Sequence, residues 1–114
     1  MNVIELTEKI KSKCKKLGVK FVQLSFSGGD DTGYLHVSLG NSKDDMEVYH
    51  PEGTDMAKLQ QDIEEWAWET YGYSGAGDGN TYGDEIVYDL EKNKASHTTW
   101  AMVRREDRPT NFEF

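Results

Sequence analysis

The stretch VKFVQLSFS (Val19–Ser27), followed by GGDDTG and then YLHVSL (Tyr34–Leu39), leaves a folding chain few options. Both runs alternate strictly, with Val22, Leu24 and Phe26 on one side of the first and Leu35, Val37 and Leu39 on one side of the second. Successive strand side chains point to opposite faces, so this pattern predicts a β-hairpin with one apolar face and one polar face. The Gly/Asp tip supplies the turn chemistry. A sheet that is apolar on one side needs a cover.

Two helical patterns offer it. Near the N-terminus, Val3, Leu6, Ile10, Cys14 and Leu17 recur at intervals of three and four. Asn2 and Glu5 have the spacing of an N-cap with its reciprocal partner, and Gly18 stands where a left-handed stop belongs, so the expected helix begins at Asn2. Its outer side holds Lys9, Lys11, Lys13, Lys15 and Lys16, and late lysines suit the negative end of a helix dipole. The second pattern has Thr54 as N-cap, Asp55 in the first turn, and Met56, Leu59, Ile63, Trp66 and Thr70 at helical spacing up to Gly72. Trp68 falls about 200° from Trp66 at ~100° per residue, which makes it either covered from another side or an exposed anchor.

Beyond Gly72, EIVYDL (Glu85–Leu90), the turn EKNK and ASHTTWAMVRR (Ala95–Arg105) read as a second hairpin, and the tail ending NFEF reads as docked by its phenylalanines. Residues 40–53 are polar, with a possible short strand at Met46–Tyr49. The expected order is α-β-β-α-β-β: one α+β domain over residues 1–114, a two-layer sandwich with an antiparallel sheet and two helices on one face. A chain of 114 residues suits one core. Three Trp, six Tyr and four Phe can supply much of its buried area.

Charge is segregated along the chain. Residues 1–20 carry six Lys against two Glu, residues 21–91 two Lys against sixteen acids, and residues 92–114 five basic against three acidic side chains, for a net charge of −8. An acidic middle disfavours direct contact with a nucleic-acid backbone, which requires Lys and Arg. It favours a basic protein surface as partner, metal ions, or nothing beyond solubility. No apolar run is long enough for a membrane span, the N-terminus lacks the apolar core of a secretory signal, and a lone Cys14 suits a reducing compartment, so the expected location is cytoplasmic.

The run YGYSGAGDGNTYGDE (Tyr71–Glu85) is the densest chemical feature. A nucleotide fingerprint follows a strand and opens a helix, whereas this run follows a helix and opens a strand. Its acids repel phosphate, and no Lys lies between Lys58 and Lys92. Asp78, Asn80, Gly83, Asp84 and Asp89 imitate part of a calcium loop, but Tyr82 occupies a ligand position, the last ligand is Asp rather than Glu, and no exit helix follows. His36, His50 and His97 offer no zinc pair at useful spacing. Ser27 lacks the glycine of a nucleophile elbow, and Cys14 sits on an apolar stripe. Neither metal nor cofactor is expected, nor catalysis. The adjacent acids Asp30–Asp31 and Asp84–Glu85 have the chemistry for acid–base work but are also ordinary in turns.

The binding reading uses both Gly/Asp loops. Glycine gives adaptability, acids give charge and tyrosine gives contact area, so Asp30, Asp31, Trp68, Tyr73, Asp78, Tyr82, Asp84 and Glu85 are the candidate binding surface. The alternative is a small ligand- or calcium-dependent hydrolase built on the same loops.

FSGGDDTG, a Trp-bearing acidic helix, DGNTYGDEIVYDL and the terminal NFEF together resemble a family of small bacterial and phage-borne domains of unknown function. Its members carry a Gly-Asp-Ser-Gly tip, an Asp-Gly-x-Tyr-Gly-Glu start to the third strand and a Glu-Phe terminus. The resemblance covers about Phe21–Phe114. Thr32 stands where Ser is usual, Asp31 is extra, and Asp78–Asp84 is one residue longer. The resemblance implies a shared α+β organisation with the two Gly/Asp loops as a common feature, and it assigns no catalytic residue. With the acidic charge, it suggests a phage or mobile-element protein that blocks a host nucleic-acid-binding or defence factor.

Overall fold

The computed structural model describes residues 2–28, 33–72, 82–101 and 110–114, and it is an α+β two-layer arrangement. In chain order the elements are α1 (Glu8–Leu17), β1 (Phe21–Gly28), β2 (Gly33–Gly40), β3 (Met46–Glu47), α2 (Asp55–Tyr71), β4 (Tyr82–Asp89), β5 (Lys94–Ala101) and β6 (Thr110–Glu113). The strands form one antiparallel sheet in the order β3-β2-β1-β4-β5-β6. The two expected hairpins are joined at its centre by β1 and β4, with Phe26 opposite Asp84 and Val22 opposite Tyr88.

Alternation decides the faces. Val22, Leu24 and Phe26 of β1, Val37 and Leu39 of β2, Ile86 and Tyr88 of β4 and Ala95 of β5 are buried in one cluster with Ile10 and Cys14 of α1 and Leu59, Ile63 and Ala67 of α2. Burying a large apolar side chain contributes roughly 1.5–3 kcal/mol, so this single layer interface carries most of the stability. Among the described residues no helix covers the opposite face of the sheet, which carries Tyr34, His36, Glu85, Thr98 and Trp100.

The second helix has its expected limits. Thr54 accepts a hydrogen bond from the Ala57 N–H, and Gly72 adopts a left-handed conformation (φ 57°) whose N–H returns to the Trp68 carbonyl. The first helix starts later than its apolar stripe predicts. Thr7, not Asn2, is the N-cap, with its hydroxyl accepting from the Ile10 N–H. Residues 2–6 have no regular structure, although Val3 and Leu6 are buried as the stripe requires. The cause is tertiary: the Tyr71 hydroxyl accepts from the Ile4 N–H at 2.9 Å, and the Tyr88 hydroxyl donates to the Ile4 carbonyl at 2.6 Å. Backbone groups tied to side chains from α2 and β4 are not free for a helical ladder.

The C-terminal tail docks as a strand. β6 pairs with β5, Phe112 packs against the core, and Phe114 stacks on Tyr88 with ring centroids 6.3 Å apart. Asn93, at a positive φ of 54° in the β4–β5 turn, accepts from the Phe114 N–H through its backbone carbonyl and donates to the Phe114 carbonyl through its side chain.

Candidate functional site

The two Gly/Asp loops spring from one end of the sheet. Gly28, before the first loop, lies opposite both Gly33, which follows that loop, and Tyr82, which follows the second. Tyr82 in turn lies opposite Ala101. Three of the four described residues that flank the loops, Gly28, Gly33 and Tyr82, are therefore neighbours. Asp30, Asp31, Tyr73 and Asp78 fall outside the described residues, as does the Tyr82 side chain.

Of the remaining candidates, Trp68 and Asp84 face the helix layer and Glu85 does not. Trp68 is half-buried with its ring edge-on to Phe26, centroids 6.0 Å apart, so the sheet covers it. Trp66 packs edge-on against Tyr71 and Tyr88. Glu85 is exposed on the uncovered face of the sheet. Asp84 departs from the expectation of a surface acid: it is only 9% exposed. The alternation that carries Ile86 and Tyr88 inward carries Asp84 inward as well.

Asp84 is paired where it is buried. Its Oδ1 lies 2.8 Å from His97 Nε2 and accepts from the Thr99 hydroxyl at 2.8 Å, with Thr99 Oγ1 and His97 Nε2 themselves 3.4 Å apart. His97 and Thr99 come from the same face of β5, directly opposite Ile86 and Asp84. A buried carboxylate without partners is costly, and these two contacts offset that cost. His97 and Thr99 were not among the sequence candidates. The signal was present in ASHTTW, where Ala95, His97 and Thr99 share a face, but their opposite number is set only by the register of β4 against β5.

Two acids of the partial calcium loop cannot share one cation. Asp84 and Asp89 lie on one extended strand and point to opposite faces, about 17 Å apart along the strand at ~3.4 Å per residue. Asp89 Oδ1 instead accepts from the Glu91 and Lys92 N–H groups of the following turn. Among the described residues no group of three or more His, Cys, Asp or Glu side chains could hold a metal ion. Cys14 is buried in the core, and burial pushes its thiol up to about 11. A thiol held protonated is a poor nucleophile.

Open grooves lie elsewhere. One of about 420 Å³ runs beside α1, with Lys11, Lys15 and Lys20 around Val19 and Leu90, and another lies between the C-terminal end of α1 and the start of α2. Neither is lined by Asp84, His97 or Thr99. On the uncovered face of the sheet, Trp100 lies over Gly83: a Cβ at Gly83 would stand 2.5 Å from the indole ring and 2.5 Å from the Phe26 carbonyl oxygen. The glycine is thus required by close approach on both sides.

Among the described residues, Glu64, Glu65 and Glu69 of α2 are exposed and make no ion pair, whereas Asp62 on the same helix is bound by Lys13 of α1 at 2.5 Å. No helix among the described residues is long and apolar enough to cross a membrane. Comparison with protein-family models, with curated proteins and with solved structures returned no match for this chain.

Proposed function

We propose that this protein is a non-enzymatic, acidic protein-binding module. The supporting observation is the meeting of both loop bases at one end of the sheet, where Gly28 stands between Gly33 and Tyr82. Those described residues border the sequence segments that contain Asp30, Asp31, Tyr73 and Asp78, and exposed Glu85 follows Tyr82 by three residues. An acidic, aromatic surface of this kind complements a basic protein patch. Nucleic-acid-binding proteins carry such patches, and the resemblance and the acidic charge support a phage or mobile-element inhibitor of a host defence factor acting in a bacterial cytoplasm.

The test is capture of basic nucleic-acid-binding proteins from bacterial lysate by immobilised protein. It compares the parent chain with a variant carrying Asp30→Asn, Asp31→Asn, Asp78→Asn and Glu85→Gln. Asp84 is kept, because its loss would perturb the interior rather than the surface. The reading expects capture that falls with added salt and is lost in the variant. Equal capture by both proteins would sink it.

A second reading, a small hydrolase, has one observation in its favour. Asp84, His97 and Thr99 set a carboxylate, an imidazole and a hydroxyl within 3.4 Å of one another. Such a set can move a proton. Ester or phosphoester turnover that disappears in His97→Gln, with the fold retained by circular dichroism, would favour it over the binding module.

A further inference from the structure

For most of its length β2 is an edge. β3 pairs only with Leu39 and Gly40, so Gly33–Ser38 have no strand beside them on that side among the described residues. The direction of their peptide groups follows from the strand's other neighbour. The Leu90 N–H donates to the Lys20 carbonyl, on the β4 side, so the next peptide N–H, that of Phe21, turns toward β2. Phe21 lies opposite Gly40, and even-numbered residues of β2 therefore spend their N–H and C=O on β1. The odd-numbered residues Gly33, Leu35 and Val37 point theirs outward.

One of these outward groups is already taken. Gln60 of α2 reaches the edge and donates from Nε2 to the Val37 carbonyl at 2.6 Å and to the Val48 carbonyl at 2.5 Å. Its amide fills the gap where the chain after β3 leaves β2. What remains is the Val37 N–H and, beyond it, a short open edge formed by the N–H and C=O of Gly33 and Leu35.

Edges are normally guarded by charge, proline or a bulge. This one has none: β2 reads GYLHVSLG, without Lys, Arg, Asp, Glu or Pro, and its register with β1 is continuous. In a chain that is 30% charged, six such residues along an open edge stand out. Exposed apolar side chains gather there too. Tyr34 is 58% exposed, and Val48 and Tyr49, at 49% and 76%, follow β3 on the same border.

We propose that the occupant of this edge is a second copy of this chain, pairing β2 with β2 antiparallel about a two-fold axis at Tyr34. In that register Gly33 of each copy exchanges both of its hydrogen bonds with Leu35 of the other, so the N–H and C=O of both residues are satisfied in both copies. Tyr34 meets its counterpart as a non-hydrogen-bonded pair on the uncovered face, the closer of the two antiparallel pairings. A register centred on Leu35 would need the Val37 carbonyl, which Gln60 holds. Two chains of net charge −8 also meet along a strand where neither presents an acid. The result is one continuous sheet through two copies, a self-complementary interface of the kind two-fold symmetry requires.

Sedimentation equilibrium from micromolar to millimolar protein tests the proposal, which expects a species of twice the 13.0 kDa chain mass. Leu35→Pro should abolish it while leaving the β1 ladder intact, because the Leu35 N–H faces away from β1. Tyr34→Lys, which adds charge at the axis without touching the core, should do the same and covers the case in which the proline variant fails to fold. Under oxidised glutathione, Tyr34→Cys should form a disulfide-linked dimer. His36→Cys should not, since the two copies of residue 36 would lie about 14 Å apart at ~3.4 Å per residue, beyond disulfide reach. A monomer at all concentrations, dimerisation undiminished in Tyr34→Lys, or equal cross-linking of the two cysteine variants would overturn the proposal.

Discussion

The Tyr71 and Tyr88 hydroxyls lie 2.6 Å apart, and Tyr88 hands its proton onward to the Ile4 carbonyl at 2.6 Å. Two phenols from α2 and β4 thus anchor the extended segment before α1. Burial, together with the neighbouring Tyr71 hydroxyl, holds Tyr88 far above the ordinary phenol value of 10.0. Tyr71 is raised as well, by burial, with its hydrogen bonds to Tyr88 and Ile4 acting in the opposite direction.

Stability should consequently fall as the solution becomes alkaline. In the unfolded chain both phenols lose protons near their ordinary value of 10.0, while the folded chain holds them, so above that pH the unfolded state binds fewer protons and gains. Cys14, raised from 9.0 to about 11, adds a loss of the same sign between those values. Urea midpoints measured from pH 8 to 12 should decline most steeply above pH 10, and Tyr88→Phe should flatten the decline. A flat profile in the parent protein would contradict the buried network.

Removing the Asp84 carboxylate leaves His97 and Thr99 facing each other without their acceptor. Asp84→Ala should cost about 1–3 kcal/mol in urea unfolding, the range for stranding buried polar partners. Glu85→Ala, one residue away on the exposed face, should change stability by less than about 0.5 kcal/mol. Equal effects at the two positions would show that Asp84 is not interior.

Gly83 is held by contacts on two sides. Gly83→Ala should destabilise by about 1–3 kcal/mol, because the added methyl meets both the Trp100 ring and the β1 backbone. Trp100→Ala should recover only part of that loss when combined with Gly83→Ala, since the Phe26 carbonyl contact remains. Full recovery in the double variant would mean the indole alone sets the constraint. Trp fluorescence should report the altered ring environment in the single variant.

Thr7 and Thr54 each cap a helix through the side-chain oxygen. Thr7→Ser should be nearly silent and Thr7→Ala should cost about 1 kcal/mol, whereas Asn2→Ala should cost nothing measurable. This set separates the cap that the structure shows from the one that spacing alone suggests.

What the chain makes legible by itself is local and periodic. Alternation over Val19–Ser27 and Tyr34–Leu39 marks a one-sided hairpin. Spacings of three and four bracketed by Thr54 and Gly72 mark α2, and together they imply an α+β layer pair. Each of these follows from contacts within a few residues, so it can be read without a fold. Other features depend on partners far away in sequence. Val3 and Leu6 keep helical spacing yet lie in an irregular segment, because Tyr71 and Tyr88 claim the Ile4 backbone. Asp84 sits beside exposed Glu85 but is buried, because the register of β4 on β5 brings His97 and Thr99 opposite its face. Gln60, a polar residue inside a helix with no motif around it, becomes the cap of a sheet edge only once α2 crosses β2. Strand order and register are long-range choices made by the packed core, and they alone decide which of the chain's polar groups are spent inside and which are offered to a partner.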